Sequence, residues 1–371
     1  MLILRNLRRR PLRTALSVLG VAIGIAAIVA FHAVGRGFRA SIDRYLSDSG
    51  AQMLVVNKTM KDPAFSRVRA EEQEFIRSHP EVEHLSRANL TIASPRGLVG
   101  SPRITALVVF GRTPGDRLLD KYRPGLRGRL LEAPGEVLVG SIAAEDLKLD
   151  VGSTLELFGR KLAVVGVYTT AVPWERVGVI VSNDVVSDVL RLTDGSIYMG
   201  FIYLKTGTDG KALKAAAEAK FPHLEVMKTE EFTMFYDQLE YIDWFVWIVS
   251  IVSVAVGGLG VLNTLLMSVS ERTREIGTLR AVGWSQARVL RMILGEGTAV
   301  SLLGGLAGLV FGVIGAEVLV RWAPRGFLGT QYAPLLFAEA MAVALGLGFL
   351  GALYPAWKAG RLRPIEALRY E

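Results

Sequence analysis

The stretch from Trp244 to Ser270 contains no ionisable side chain, and no other feature limits the folds open to this sequence as strongly. A helix rises about 1.5 Å per residue and the hydrocarbon core of a bilayer is roughly 30 Å thick, so about 20 apolar residues suffice to cross it. Three further runs reach that length. Thr14 to Val34 is uncharged apart from His32, Met292 to Val320 holds Glu296 and Glu317, and Pro334 to Trp357 holds Glu339. At 371 residues and 51% apolar content the chain is large enough for two soluble domains, but apolar residues pooled in this way exclude that reading. The expectation is four transmembrane helices at 14–36, 244–270, 292–320 and 334–357.

Orientation follows from Lys and Arg near the span ends, which accumulate on the cytoplasmic side. Residues 1–13 carry five Arg, 271–291 carry five, and 358–371 carry four basic residues, whereas the short turn 321–333 adds only Arg321 and Arg325. Both termini and the 271–291 loop are therefore predicted inside, with 37–240 outside. The net charge of +8 reports this topology and attraction to lipid headgroups, so nucleic acid is not an expected partner. The Arg-rich amino end before an apolar run also has the outline of a signal peptide, but the run is long for one, and cleavage would leave an odd number of spans.

The outside region reads as an α+β domain. Strands are expected at 51–57, 104–110, 136–139, 154–158, 161–168 and 177–181, with a hairpin turn at Gly159-Arg160. Helices are expected at 71–79, 142–147, 185–192 and 211–221. Helical stalks are expected to leave the membrane through Arg36–Asp43 and to return through Phe232–Tyr241. The absence of Cys excludes disulfides and thiolate metal sites. His79 and His84 are five apart, a spacing that does not stack imidazoles on one helix face, so no metal site is expected. No hydrolytic motif such as GxSxG or HExxH occurs, so no catalytic residue is assigned.

Within the membrane, Gly304, Gly308 and Gly312 form overlapping GxxxG patterns and Gly20 with Gly24 forms another, spacings that let helices approach closely. Such faces serve packing within one subunit or contact between subunits. Asn263 is placed to hydrogen-bond across helices. Glu317 has Arg321 four residues on as a partner, and Trp244, Trp247, Trp322, Tyr332, Tyr354 and Trp357 mark the interfaces.

The loop 271–291 is too charged and too long for a plain connection. Ile276, Leu279 and Gly283 fall at spacings of three and four, on one helical face suited to a partner's groove, with Glu271, Arg272, Arg274, Glu275 and Arg280 as its polar rim. A solvated face beside lipid headgroups is the plainer reading of those charges.

The run ERTREIGTLRAVG resembles the loop after the second membrane helix of MacB/FtsX-type ABC transporter permeases. LRNLRRRPLRTALSVLGVAIGI resembles that family's entry into its first helix, and YPAWKAGRLRPIEALRYE its terminal tail. GRLLEAPGEVLVGSIAAEDLKLDVGSTLELFGRKLAVVGVY is similar to its extracytoplasmic, MacB-like periplasmic core domain. The resemblance implies a permease in the bacterial inner membrane whose two copies, identical or related, pair through their first and second spans. It also implies an ABC ATP-binding subunit that docks on 271–283, moves the outside domains and drives export or extraction of a substrate. No GxxxxGK[ST] motif is present, so the chain is expected to hold no cofactor itself, with ATP and Mg on a separate ATPase. A periplasmic adaptor protein is a further partner that an export role allows. Two other readings stay open: FtsX-like signalling to a cell-wall hydrolase without transport, and a membrane-anchored receptor with no ATPase.

Overall fold

The computed structural model describes residues 11–58, 66–93, 107–232, 237–322 and 328–362. The amino-terminal residues 1–10, the tail 363–371, and parts of the expected strand at 104–110 and of the returning stalk lie outside these. The chain divides into two compact units, one of Met1–Arg36, Asp243–Leu319 and Thr330–Glu371, the other of Gly37–Ile242 with Val320–Gly329.

The first unit is helical. Its long elements are α1 (Pro11–Ser47, which ends in the second unit), α7 (Asp237–Glu271), α9 (Gln286–Trp322) and α10 (Pro334–Gly360), with the short α8 (Thr273–Ala281) between α7 and α9. All four long helices are apolar enough to cross a membrane. Two faces of α9, nearly free of side chains, bring them together. An added Cβ at Gly304, Gly308 or Gly312 would lie 2.6 to 2.7 Å from the Cβ of Val21, Ile25 or Val29 on α1. On the other face, a Cβ at Gly297 would lie 2.5 Å from that of Ala352 and one at Gly305 2.9 Å from that of Ala344, both on α10. The GxxxG ridge therefore packs inside the chain, as close backbone approach allows.

The remaining membrane-phase residues fall less evenly. Gly24 meets the Ser253 carbonyl of α7, 3.0 Å from where its Cβ would stand, whereas Gly20 has open space there. Asn263, expected to bond across helices, is exposed instead. Its neighbour Thr264 faces inward and meets Ser17 of α1, the hydroxyl oxygens 2.5 Å apart. A helix turns about 100° per residue, so one position separates the inner face from the outer. Glu317 accepts hydrogen bonds from the hydroxyls of Tyr332 (3.0 Å) and Thr330 (3.1 Å), where sequence spacing pointed to Arg321. Glu339 pairs with Arg36 at 3.4 Å. Trp244, Trp247, Trp322, Tyr354 and Trp357 are all exposed.

The second unit is built on a ten-stranded mixed sheet. Its strands are β1 (Met53–Asn57), β2 (Val82–Ala93), β3 (Leu107–Arg112), β4 (Leu126–Gly128), β5 (Glu136–Gly140), β6 (Thr154–Leu157), β7 (Arg160–Tyr168), β8 (Gly178–Ser182), β9 (Met199–Leu204) and β10 (Leu224–Lys228). They run in the order β10-β1-β9-β2-β3-β8-β5-β7-β4, with β6 on β7. β3 pairs parallel with β8 and β5 with β7, and the other pairs are antiparallel. One face carries α2 (Ala70–Ser78), α3 (Ser141–Leu147), α5 (Asn183–Leu190) and α6 (Lys211–Lys220), whose Ile76, Ala143, Val186 and Leu213 are buried. The other face is covered by Leu46 near the end of α1, by Leu119 and Tyr122 of a 3₁₀ helix (Arg117–Gly125), and by Trp174 of α4 (Pro173–Arg176). Successive residues of β3 feed opposite cores, Val109 one and Phe110 the other, as the period of two requires.

The expected strands and helices fall on or beside observed elements, but β2, β4, β9 and β10 are additional. β2 reads as polar because Glu83, His84, Ser86, Arg87 and Asn89 interrupt it. The fold answers several of those groups: His84 and Ser86 bond Asp116, and the Asn89 side chain accepts from the Tyr198 amide at 2.9 Å. The hairpin turn lies one residue earlier than expected, since the positive φ values are at Phe158 (52°) and Gly159 (73°).

Replacing Gly308 by Val forces a side chain against Ile25 and the Ala22 carbonyl, and is expected to destabilise the protein by about 1–3 kcal/mol. Gly315→Ala, where an added Cβ has open space, is expected to be neutral in the same thermal unfolding series in detergent.

Candidate coupling segment

Residues 271–291 form two helical pieces with sharp breaks, where the sequence suggested one continuous face. α7 ends at Glu271, and Arg272 leaves helical geometry (φ −111°, ψ 19°) before α8 begins. The break sets Arg272 between two carboxylates. Its Nη1 donates to Glu296 at 3.0 Å and its Nε to Glu275 at 3.2 Å. Glu296, on α9, is only 3% exposed while the Arg272 side chain is 19% exposed, so the ion pair is partly buried and each member stabilises the other's charge.

The far end of α8 closes on Gly283. Its N–H donates to the Arg280 carbonyl (3.1 Å) and that of Trp284 to the Leu279 carbonyl (3.0 Å), with φ at +98°. This is the glycine-terminated stop in which the left-handed residue spares a Cβ the steric penalty. The Arg280 side chain folds back to donate to the Trp284 carbonyl at 3.0 Å.

Ile276 is 1% exposed and packs among Val269, Val289, Ile293, Ala356 and Ala359. It is therefore a core residue that fixes α8 to α9 and α10, and the sequence expectation of a contact offered to a partner is corrected. The three-and-four spacing located the apolar face of the helix, and that face turns inward. Leu279 is half-buried and Gly283, exposed, is a terminator beyond the helix. The outward face of α8 carries Arg274, Glu275, Thr278 and Ala281, followed by Val282, which is 78% exposed. Glu271 is exposed just before it. Sequence reasoning missed Val282 and the pairing of Glu296. A large apolar residue beside a terminating glycine, and a lone acid one turn into an apolar run below an Arg, were the available signals.

Residues 14–220 match the MacB-like periplasmic core domain family, which alone accounts for more than half of the chain, and residues 247–364 match the FtsX-like permease C-terminal family. The chain belongs to the MacB/FtsX-type family of ABC permeases. With its four apolar helices it is a multi-pass membrane protein, and its sheet unit is the family's core domain, inserted between α1 and α7. It is 29% identical to the pyoverdine export ATP-binding/permease protein PvdT of Pseudomonas savastanoi pv. phaseolicola, over 97% of this chain and 57% of that one. It is 25% identical to the macrolide export ATP-binding/permease protein MacB of Chlorobium luteolum, over 97% and 58%. The chain thus spans less than two thirds of the length of these relatives. The crystal structure of the periplasmic region of MacB from Actinobacillus actinomycetemcomitans aligns with a TM-score of 0.40 at 12% identity, over 50% of this chain and 91% of that one.

Within this permease, Arg272→Ala would remove the cation that stands 3.0 Å from the buried Glu296 carboxylate. The expected cost is about 3 kcal/mol, read as a lowered midpoint of thermal or denaturant unfolding in detergent, and Arg272→Lys is expected to restore part of it.

Proposed function

We propose that this permease is the membrane subunit of an ABC system in the bacterial inner membrane, powered by an ATPase on a separate chain that docks on the outward face of α8. ATP and Mg are bound by that partner. The observation that carries the reading is the anchoring of α8: a charged helix outside the apolar spans, keyed to α9 and α10 by Ile276 and by the Arg272–Glu296 pair. A push on such a helix moves the span beneath it, because packed interiors shift as units. Arg274, Glu275 and Val282 are the exposed contacts, Glu271, Leu279 and Arg280 border them, and Arg272 and Ile276 hold the platform in place.

The distribution of Lys and Arg supports cytoplasmic termini and a cytoplasmic α8, and hence a core domain outside. Two copies assemble as a dimer. α7 supports this role, being the least buried of the four spans, with Ile248, Ile251, Val252, Val256 and Leu259 all exposed. The work done is export or extraction of a substrate through motion of the core domain, with a periplasmic adaptor as an additional partner. Relatives named for macrolide and pyoverdine export support transport over signalling to a cell-wall hydrolase.

The test is co-purification of the full chain from its native host, with ATPase activity and the size of the ATPase polypeptide as readouts. Arg274→Glu with Val282→Asp alters exposed positions only and is expected to cost about 2 kcal/mol of docking, roughly thirtyfold in Kd. Loss of the ATPase from the variant, with unfolding unchanged, is the expected result. An ATPase retained in full by the variant would overturn the docking face, and none with the wild type would overturn the ABC reading.

A further inference from the structure

At the end of the helical unit where α7 and α10 begin, opposite α8, a groove of about 300 Å³ opens between α1, α7 and α10. Its apolar lining is Ile28, Leu336 and Ala340, all buried, with Ile251, Val254 and Val343. Along α10 the lining runs from Leu336 to Val343, a rise of about 10 Å, which is two-thirds of the ~15 Å that one leaflet contributes to a hydrocarbon core. A helix about 10 Å across would need roughly 800 Å³ over that length, far more than the groove holds. One acyl chain is the apolar body that suits it.

Four polar side chains, His32, Trp247, Ser250 and Glu339, line the same groove. His32 Nδ1 donates to the Ile28 carbonyl at 2.9 Å, which leaves Nε2 of the neutral ring as an acceptor. Ser250 Oγ donates to the Val246 carbonyl at 2.7 Å and keeps its lone pairs. The Glu339 carboxylate meets Arg36 Nη2 at 3.4 Å, and the two side chains are 51% and 36% exposed, so each keeps accessible hydrogen-bonding capacity. Glu339, His32 and Ser250 thus call for a donor, whereas Arg36 and the indole N–H of the exposed Trp247 call for an acceptor. An ammonium and a phosphate on one headgroup answer both, at the depth where tryptophan marks the membrane interface.

The groove is also separate from the face of α7 assigned above to the second copy. Ile248, Val252, Val256 and Leu259 lie roughly 140° around the helix from Trp247, Ser250 and Val254, with only Ile251 between the two sets. We propose that the groove is a binding site for a phospholipid whose headgroup carries a primary ammonium. One acyl chain lies along Ile28, Leu336 and Ala340, the ammonium meets Glu339, and the phosphate meets Arg36.

The delipidated full chain in detergent tests this by thermal unfolding, with dioleoyl phosphatidylethanolamine, phosphatidylcholine or phosphatidylglycerol added at equal mole fraction. Phosphatidylcholine has the same net charge without an N–H, and phosphatidylglycerol has no amine. Saturable stabilisation by phosphatidylethanolamine is expected at about tenfold lower mole fraction than by either of the others. Glu339→Gln keeps the shape and removes the charge, and should erase that preference while leaving the lipid-free midpoint near that of the wild type. Should Glu339→Gln fail to fold, Val343→Phe fills the groove and should abolish the saturable response. Equal responses to the three lipids would overturn the proposal, as would a preference that a folded Glu339→Gln or Val343→Phe leaves unchanged. Stabilisation by dodecylammonium with none by phosphatidylethanolamine would overturn a phospholipid as the occupant.

Discussion

Between Gly297 and Gly312, α9 carries glycine where α1 or α10 crosses it, and the arrangement of the helical unit rests on those absent side chains. In a bilayer the lipid tails are as apolar as leucine, so burial of apolar surface gives helices little reason to associate. What remains is chiefly close packing and hydrogen bonds such as that between Ser17 and Thr264, and because a gap of about 0.5–1 Å already forfeits a quarter to a half of a dispersion contact, backbones must come close for it to add up. α9 supplies two such faces at once, one meeting Val21, Ile25 and Val29, the other meeting Ala344 and Ala352. It is thus the helix on which the others are registered. It is also the helix whose Glu296 holds Arg272, so α8 is fixed to the element that both α1 and α10 pack against.

The membrane spans were legible because the bilayer allows few solutions: length, apolarity and the placement of Arg are each visible along the sequence. The helical unit's finer choices were not. Asn263 and Thr264 are adjacent and both polar, and which one faces inward depends on the rotation of α7 against α1, which periodicity in an all-apolar helix cannot report. For α8 the periodicity was informative and the inference from it incomplete. A stripe of Ile276 and Leu279 says that one face is apolar, and both a partner's groove and the chain's own core satisfy it. The core took Ile276 because α9 and α10 end beside it, a fact of three dimensions.

In the core domain the difficulty was the reverse. Strands such as β3 and β8 are buried on both faces and read as continuous apolar runs, so they stood out. β2 did not, because its polar residues look like those of a surface loop until Asp116 and Tyr198 are brought to them by segments far away in sequence. The same holds for Arg112, which is buried: nothing in its local sequence distinguishes it from a surface arginine, and only the assembly of Tyr45, Phe110 and Trp174 around it makes it unusual.

Because helices cover one face of the sheet and the end of α1, a 3₁₀ helix and Trp174 cover the other, the interior strands β3, β8 and β5 show no open side. Over these interior strands the sheet has no flat surface to present to another molecule, whereas Thr154 and Glu156 of β6 and Lys161 and Ala163 of β7 are exposed toward its edge. Whatever the domain recognises must be met at its margins, where β10 and β4 lie at the two ends of the strand order, or on the cladding itself. Change in what the domain binds can then be confined to helices and loops, while the doubly buried strands beneath stay constant.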